Sequence, residues 1–266
     1  MYLEHFGLRD YPFMFIPDTD RFFAGGGREE LLNKLQGALL AGEGLIQVSG
    51  ATGSGKTMLC RTLCQRVAGH TQTALLLNPN LPPEDLIPAI LLEFRLPLPE
   101  SRQERLTARQ TLLNHLVQLY RRGERALLLI DDVHCMPLET LEELLLLGNL
   151  ETGRAKLLPM VLFTRPLLND PNRQLKERLS SHIFLGPLSA QETESYLHAR
   201  LLSAGFQGER LFTRLAARCL HYASGGGMHR INRLAHGALQ RAMADSSRLV
   251  TVGHAIQVVL ADLSPS

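Results

Sequence analysis

The sequence has no apolar run long enough to span a bilayer. Its longest, "ALLLI" and "LLLLGNL", fall far short of the roughly 20 residues a membrane helix needs. The opening "MYLEHFGLRDYPF" carries charges and no apolar core, so it does not read as a secretory signal. The four cysteines include no Cys-x-x-Cys pair, and the 10 histidines show no metal-ligand spacing. A structural zinc and a disulfide framework are therefore not expected. Cys60 and Cys64 read as small core thiols in a reducing compartment. The formal net charge is only +2, so nothing global marks the chain for nucleic acid or an anionic membrane. Arg121, Arg122 and Arg125 of "YRRGER" read as a solvated helix end. Internal repeats and low-complexity tracts are missing too. What remains is an ordinary globular composition, long enough at 266 residues for one large domain or one large and one small. The expected location is the cytoplasm, with peripheral attachment to an inner membrane only through a partner.

Apolar runs alternate with helical patterns. "GLIQVSG", "TALLLNP", "RALLLIDDVH", "LLPMVLFTRP" and "SHIFLGPL" read as strands. Between them, segments such as "KTMLCRTLCQRVAG" and "ARQTLLNHLVQLYRRG" read as helices. The alternation predicts an α/β fold, a parallel sheet sandwiched by helices. Residues 1–27 read as an irregular lead-in anchored by Phe6, Phe13, Phe15, Phe22 and Phe23, with Pro12 and Pro17 opposing helix. After about residue 188 only helical patterns follow, and Ser189 with Glu192 has the spacing of a capping box. The expected domains are an α/β domain over 1–188, lead-in included, and a small all-helical lid over 189–266.

"GATGSGKT", at Gly50 to Thr57, fits G-x-x-x-x-G-K-[ST], with an apolar strand before it and a helix after it. Glycines let successive N–H groups turn inward around phosphate oxygens, and the helix N-terminus adds positive potential. Gly50, Ala51, Thr52, Gly53, Ser54, Gly55, Lys56, Thr57 and Met58 are the expected nucleotide-binding residues. Lys56 would reach the β- and γ-phosphates and Thr57 would ligate Mg²⁺. In "LLLIDDVH", Asp131 ends an apolar strand, which suits a carboxylate on the Mg²⁺ water shell. Asp132 occupies the place of a water-activating group but is one methylene shorter than Glu. The expected cofactors are ATP and Mg²⁺, with phosphate lost to water.

The chain resembles the AAA+ ATPases of the ExeA/GspA type, including the short members that serve MSHA pilus biogenesis. The resemblance lies in "YLEHFGLRDYPFMFIPDTDRFF", "GEGLIQVSGATGSGKTMLCR", "LETLEELLLLGNLET", "RQLKERL", "GPLSAQETESYLHARLLSAG" and "SGGGMHRINRLAHGAL". It implies an AAA+ domain with a lid and ATPase activity in support of a type IV pilus or secretion machine. It also implies a homo-oligomer in which an arginine finger acts on a neighbour. Arg178 is the implied finger, with Arg173 the alternative. Arg230 is the implied sensor arginine on the γ-phosphate. Three positions depart from the family: Asp132 stands for Glu, Thr164-Arg165 for Gly-Gln in the first sensor region, and His229 for Pro. Asp132, Thr164, Arg178 and Arg230 are thus the expected catalytic set, in a site weakened relative to the family. Two alternatives stay open. One is a nucleotide-gated adaptor with little hydrolysis. The other is a DNA-associated ATPase of the transposition or replication kind; its marker, a basic winged-helix domain, is not expected here, and nucleic acid is not the expected partner. A small-molecule kinase is disfavoured by the helical module that carries Arg230.

Overall fold

The computed structural model describes residues 2–16, 18–98, 105–153, 155–165 and 177–263. By mutual contact the chain forms two compact units. One comprises Glu30–Gly50 and Leu59–Leu185; the other comprises Met1–Glu29, Ala51–Met58 and Gly186–Ser266.

The first unit is a sheet with helices. Its strands are β1 (Leu45–Gly50), β2 (Thr71–Leu76), β3 (Arg125–Ile130), β6 (Met160–Thr164) and β7 (Ser181–Leu185). They pair in parallel in the order β2-β3-β6-β1-β7. Strands β3 and β6 read as unbroken apolar runs because both faces are covered: every β6 residue is buried, and so are Ala126 to Ile130. Helices α4 (Pro83–Glu93), α5 (Arg105–Arg121) and α6 (Leu138–Leu147) share one core with the strands, through Leu86, Ile90, Leu112, Leu116, Leu144, Leu128 and Leu162. A two-stranded antiparallel hairpin, β4 (Glu151–Thr152) with β5 (Ala155–Lys156), was not expected. Its strands are too short for a period-2 pattern to register. Strand β2 starts at Thr71, ahead of the apolar stretch, because the β3 ladder runs from Thr71↔Arg125 onward.

The second unit joins the lead-in to four helices: α7 (Ala190–Ser203), α8 (Arg214–Ser224), α9 (Met228–Ala244) and α10 (Val252–Leu263). Tyr2, Phe6, Leu8 and Phe13 pack with Tyr196, Leu197, Phe212, Leu234 and Leu239 in one core. The lead-in is less irregular than expected. It opens with a short helix, α1 (Tyr2–Phe6), and contains a 3₁₀ turn at Thr19–Arg21. Pro12 lies beyond α1 and leaves it intact. Phe15 is not an anchor, since it is 53% exposed. The expected capping box at α7 is present: Glu192 N–H donates to Ser189 Oγ at 3.2 Å, and Ser189 N–H to Glu192 Oε2 at 2.7 Å. Helices α2 (Arg28–Leu40) and α3 (Lys56–Val67) each begin in this unit and run into the other.

Candidate functional site

In the sheet unit the carboxyl ends of β3, β6 and β1 lie side by side, about 4.8 Å per step. That order brings Asp131, Thr164 and Gly50 onto one edge, where ligands of open parallel sheets bind. Asp131 is buried at 2% exposure; its N–H donates to Leu76 O at 2.9 Å, and its Oδ1 accepts from Asp132 N–H at 3.0 Å. Burial pushes the Cys60 thiol up, and the Asp131 carboxylate pushes it further, so Cys60 stays a neutral core thiol. Asp132 sits in the left-handed region at φ 51°, ψ 41°. Aspartate is one of the few side chains that visits it readily. Its carboxylate is about half exposed, with His134 Nδ1 at 3.7 Å from Oδ1. The Thr164 hydroxyl, buried, donates to Arg165 O at 3.2 Å. Arg178 is exposed and donates to Leu145 O at 2.9 Å, in the last turn of α6. Arg173 lies outside the described residues.

The loop itself belongs to the other unit. Gly53 (φ 76°) and Gly55 (φ 98°) adopt left-handed backbone, which a side chain would strain. Space is short as well: a Cβ at Gly53 would come within 2.9 Å of His229 Cβ, and one at Gly55 would press on Met228 Sδ at 3.1 Å. Lys56, the first residue of α3, is only 6% exposed and donates from Nζ to Ala51 O at 3.0 Å. A buried ammonium at a helix N-terminus, behind glycines that free backbone N–H groups, is suited to phosphate oxygens. The residues present therefore fit a nucleoside phosphate.

Helix α9 begins against this loop. His229 N–H donates to Gly53 O at 3.3 Å, and its ring stands against Phe15 at 5.0 Å between centroids. Arg230 turns elsewhere. Its Nη2 lies 3.1 Å from Asp262 Oδ2, and Arg233 Nη2 lies 2.6 Å from Asp262 Oδ1. Sequence reading missed Asp262, since a pair 32 residues apart leaves no local pattern. It also missed Arg28, 2% exposed, which donates to Gly26 O, Ser54 O and Gly186 O. The available signal was an arginine opening a helix directly after three glycines.

Comparison with known proteins places this geometry. An AAA domain model matches residues 40–170. The chain carries a P-loop AAA domain. It is 36% identical over 259 residues to general secretion pathway protein A of Aeromonas hydrophila, covering 95% of this chain and 47% of that protein. The chain thus spans about half the length of this curated relative. Among solved structures, Drosophila ORC bound to DNA matches 99% of this chain and 65% of its own, with a TM-score of 0.70 at 19% identity. The Aeropyrum pernix ORC2 protein matches 91% and 69%, at 0.66 and 17%. The Thermotoga maritima RuvB branch migration motor matches 94% and 73%, at 0.58 and 18%. At such identities these three show the fold of the AAA domain and no more. No helix among the described residues is long and apolar enough to cross a membrane.

Proposed function

We propose that this AAA protein binds ATP with Mg²⁺ and hydrolyses it to drive assembly of a secretion machine or a type IV pilus of the MSHA kind. The observation that carries the reading is the loop: left-handed Gly53 and Gly55 leading into a helix whose first residue is the buried Lys56. The secretion half rests on the 36% identity to general secretion pathway protein A. In this reading residues 1–188 would act as the nucleotide-binding domain and 189–266 as the lid, while by mutual contact the lead-in and the loop group with the helical unit. The protein works in the cytoplasm as a homo-oligomer and reaches the inner membrane through a partner.

Bound Mg²⁺·ATP supplies the phosphoanhydride to be cleaved and the positive charge that offsets the charge developing on it. The N–H groups of Gly53, Gly55 and Lys56 would hold phosphate oxygens, and the Lys56 ammonium, now on Ala51 O, would supply charge to the β- and γ-phosphates. Thr57 and Asp131 would be the side chains that hold the metal or its water shell. Asp132 accepts a proton from the attacking water or orients it. Its left-handed backbone suits the shorter carboxylate, which gives up reach. Thr164 can accept from water while its hydroxyl donates to Arg165 O, but donates to that water only by turning away from Arg165 O. Arg230 holds Asp262 through Nη2 and Arg178 holds Leu145 O through Nη1, so each would reach a phosphate with its remaining N–H groups or by giving up that contact. These prior engagements favour one second reading, a nucleotide-gated adaptor in which hydrolysis is slow.

The test is ATP hydrolysis against protein concentration, with Lys56→Ala as the blank and Asp132→Glu alongside. Turnover per subunit should rise with concentration, and Lys56→Ala should remove it. Misplacing a reacting group by about 1 Å costs about a hundredfold, so Asp132→Glu should recover part of that and run faster than wild type. Nucleotide binding without turnover in either protein would replace the ATPase with the adaptor.

A further inference from the structure

Arg28 is a buried cation that the reading above leaves without a task. Its guanidinium donates from Nη1 to Gly26 O at 3.2 Å, and from Nη2 to Ser54 O at 3.0 Å and Gly186 O at 3.4 Å. The three acceptors come from the lead-in, the phosphate loop and the segment just ahead of the lid. Nε is buried with no hydrogen-bond partner, so the fold accepts a cost to keep the group there. Burial holds the guanidinium below its ordinary pKa, against the pull of the Glu192 carboxylate. The surrounding backbone is shaped to admit it. Gly26 is left-handed at φ 67°, and a Cβ there would lie 2.4 Å from Arg28 Nη1 and 3.5 Å from Glu192 Cδ.

The contact with Ser54 O bears on the loop's chemistry. Ser54 C=O and Gly55 N–H belong to one peptide unit, and that peptide is trans. In a planar trans peptide the carbonyl and the N–H point in opposite directions. Holding Ser54 O on Arg28 therefore aims Gly55 N–H away from Arg28. The same contact keeps a carbonyl dipole, repulsive to an anion, from turning into the phosphate cradle. Ser54 is itself 2% exposed, so no solvent competes for that carbonyl. Glu192 adds a link to the lid, because the carboxylate that faces Arg28 also closes the α7 capping box through Ser189.

We propose that Arg28 is a positioning residue for phosphate binding: it fixes the Ser54–Gly55 peptide so that the loop presents an N–H, not a carbonyl, to the nucleotide. The inference rests on the nucleotide-binding reading and deepens it. It also accounts for Gly26, the glycine of "GGGR" at which a Cβ would crowd the guanidinium.

The experiment measures binding of fluorescent ADP and ATP analogues to wild type, Lys56→Ala, Arg28→Met, Arg28→Lys and Gly26→Ala. Circular dichroism checks each fold, and hydrolysis is followed against ATP concentration. Arg28→Met should weaken both nucleotides by about tenfold or more, the loss of one directed hydrogen bond to a charged group. Arg28→Lys can reach one carbonyl at a time and should recover part of the affinity. Gly26→Ala displaces the guanidinium and should resemble Arg28→Met. The loss should fall on KM, with kcat at saturating ATP close to wild type, because the groups assigned to hydrolysis are untouched. A merely structural role would lower melting temperature and leave the affinity of the folded fraction unchanged, and that result overturns the inference. If Arg28→Met does not fold, Arg28→Lys decides: wild-type affinity overturns the inference and weakened affinity supports it. Wild type that binds no better than Lys56→Ala would sink the nucleotide reading and the inference with it. Intact binding in all Arg28 and Gly26 variants would sink the inference alone.

Discussion

The sheet unit and the unit of lead-in, loop and lid bury different things. In the sheet unit the buried polar residues are short or hold the site edge: Ser49, Thr62, Thr140, Asp131 and Thr164. In the other unit the interior holds Arg28, Lys56 and Arg200, the buried Lys and Arg residues among those described, with Asn232 and His254. The lead-in there is tied by directed bonds: Arg200 Nε to Pro12 O at 2.7 Å, Arg200 Nη2 and Asn232 Nδ2 to Met14 O, and Tyr196 OH to Asn232 Oδ1 at 2.8 Å. Apolar burial is non-directional and scales with area, so many similar side chains serve it. A hydrogen bond between long-range partners works at one geometry only. The sheet unit is therefore a scaffold fixed chiefly by area, while the other unit has an apolar core of its own and adds directed contacts that tie the lead-in to it.

Two substitutions separate these modes. Leu128 is fully buried in β3, and Leu128→Ala should destabilise by about 2–5 kcal/mol through lost transfer energy and the cavity left behind. Urea denaturation of the purified protein measures it. Arg200→Met keeps most of the apolar stem and removes the donors, leaving Pro12 O without its bond. It should cost about 1–3 kcal/mol, and limited proteolysis should cut the lead-in sooner. If Arg200→Met were neutral and left proteolysis unchanged, the lead-in would be held by Tyr2, Phe6 and Phe13 alone and the contrast would fail.

The same contrast sets what the sequence made legible. The strands of the sheet were readable because burial on two faces writes a continuous apolar run, as in Leu127 to Ile130. The loop was readable because a phosphate cradle needs glycines at fixed offsets, and the α7 cap because both its partners lie three residues apart. Helix α1, with five residues, is shorter than a period can show. Phe15 looked like a core anchor because the sequence gives residue type and not direction. Arg28 and Asp262 act on partners up to 158 and 32 residues away, and such contacts leave no local pattern. Missed residues thus concentrate in the unit that adds directed bonds.

Two histidines carry the comparison to pH. His115, on α5, and His236, on α9, are both held below the ordinary imidazole value of about 6.5, chiefly by burial, with Arg122 adding to the effect at His115. As pH falls through that value the unfolded chain takes protons first, so stability is full above about 6.5 and declines below it until the folded imidazoles also protonate. Their partners differ. His115 Nε2 stands 3.0 Å from Gln72 Oε1, an acceptor, so that bond survives protonation. His236 Nε2 faces Gln240 Nε2, a donor, at 3.2 Å, so the ring accepts there and its proton sits on Nδ1, 2.9 Å from Tyr2 OH. Protonation adds a second donor against Gln240 and breaks that bond. Between pH 7.5 and 5.5 the melting temperature should therefore fall, with the larger part from His236. His236→Gln should flatten the slope more than His115→Gln. The reverse order would mean that acid sensitivity is set by desolvation in the sheet unit, and not by the directed bonds that join the lead-in to the lid.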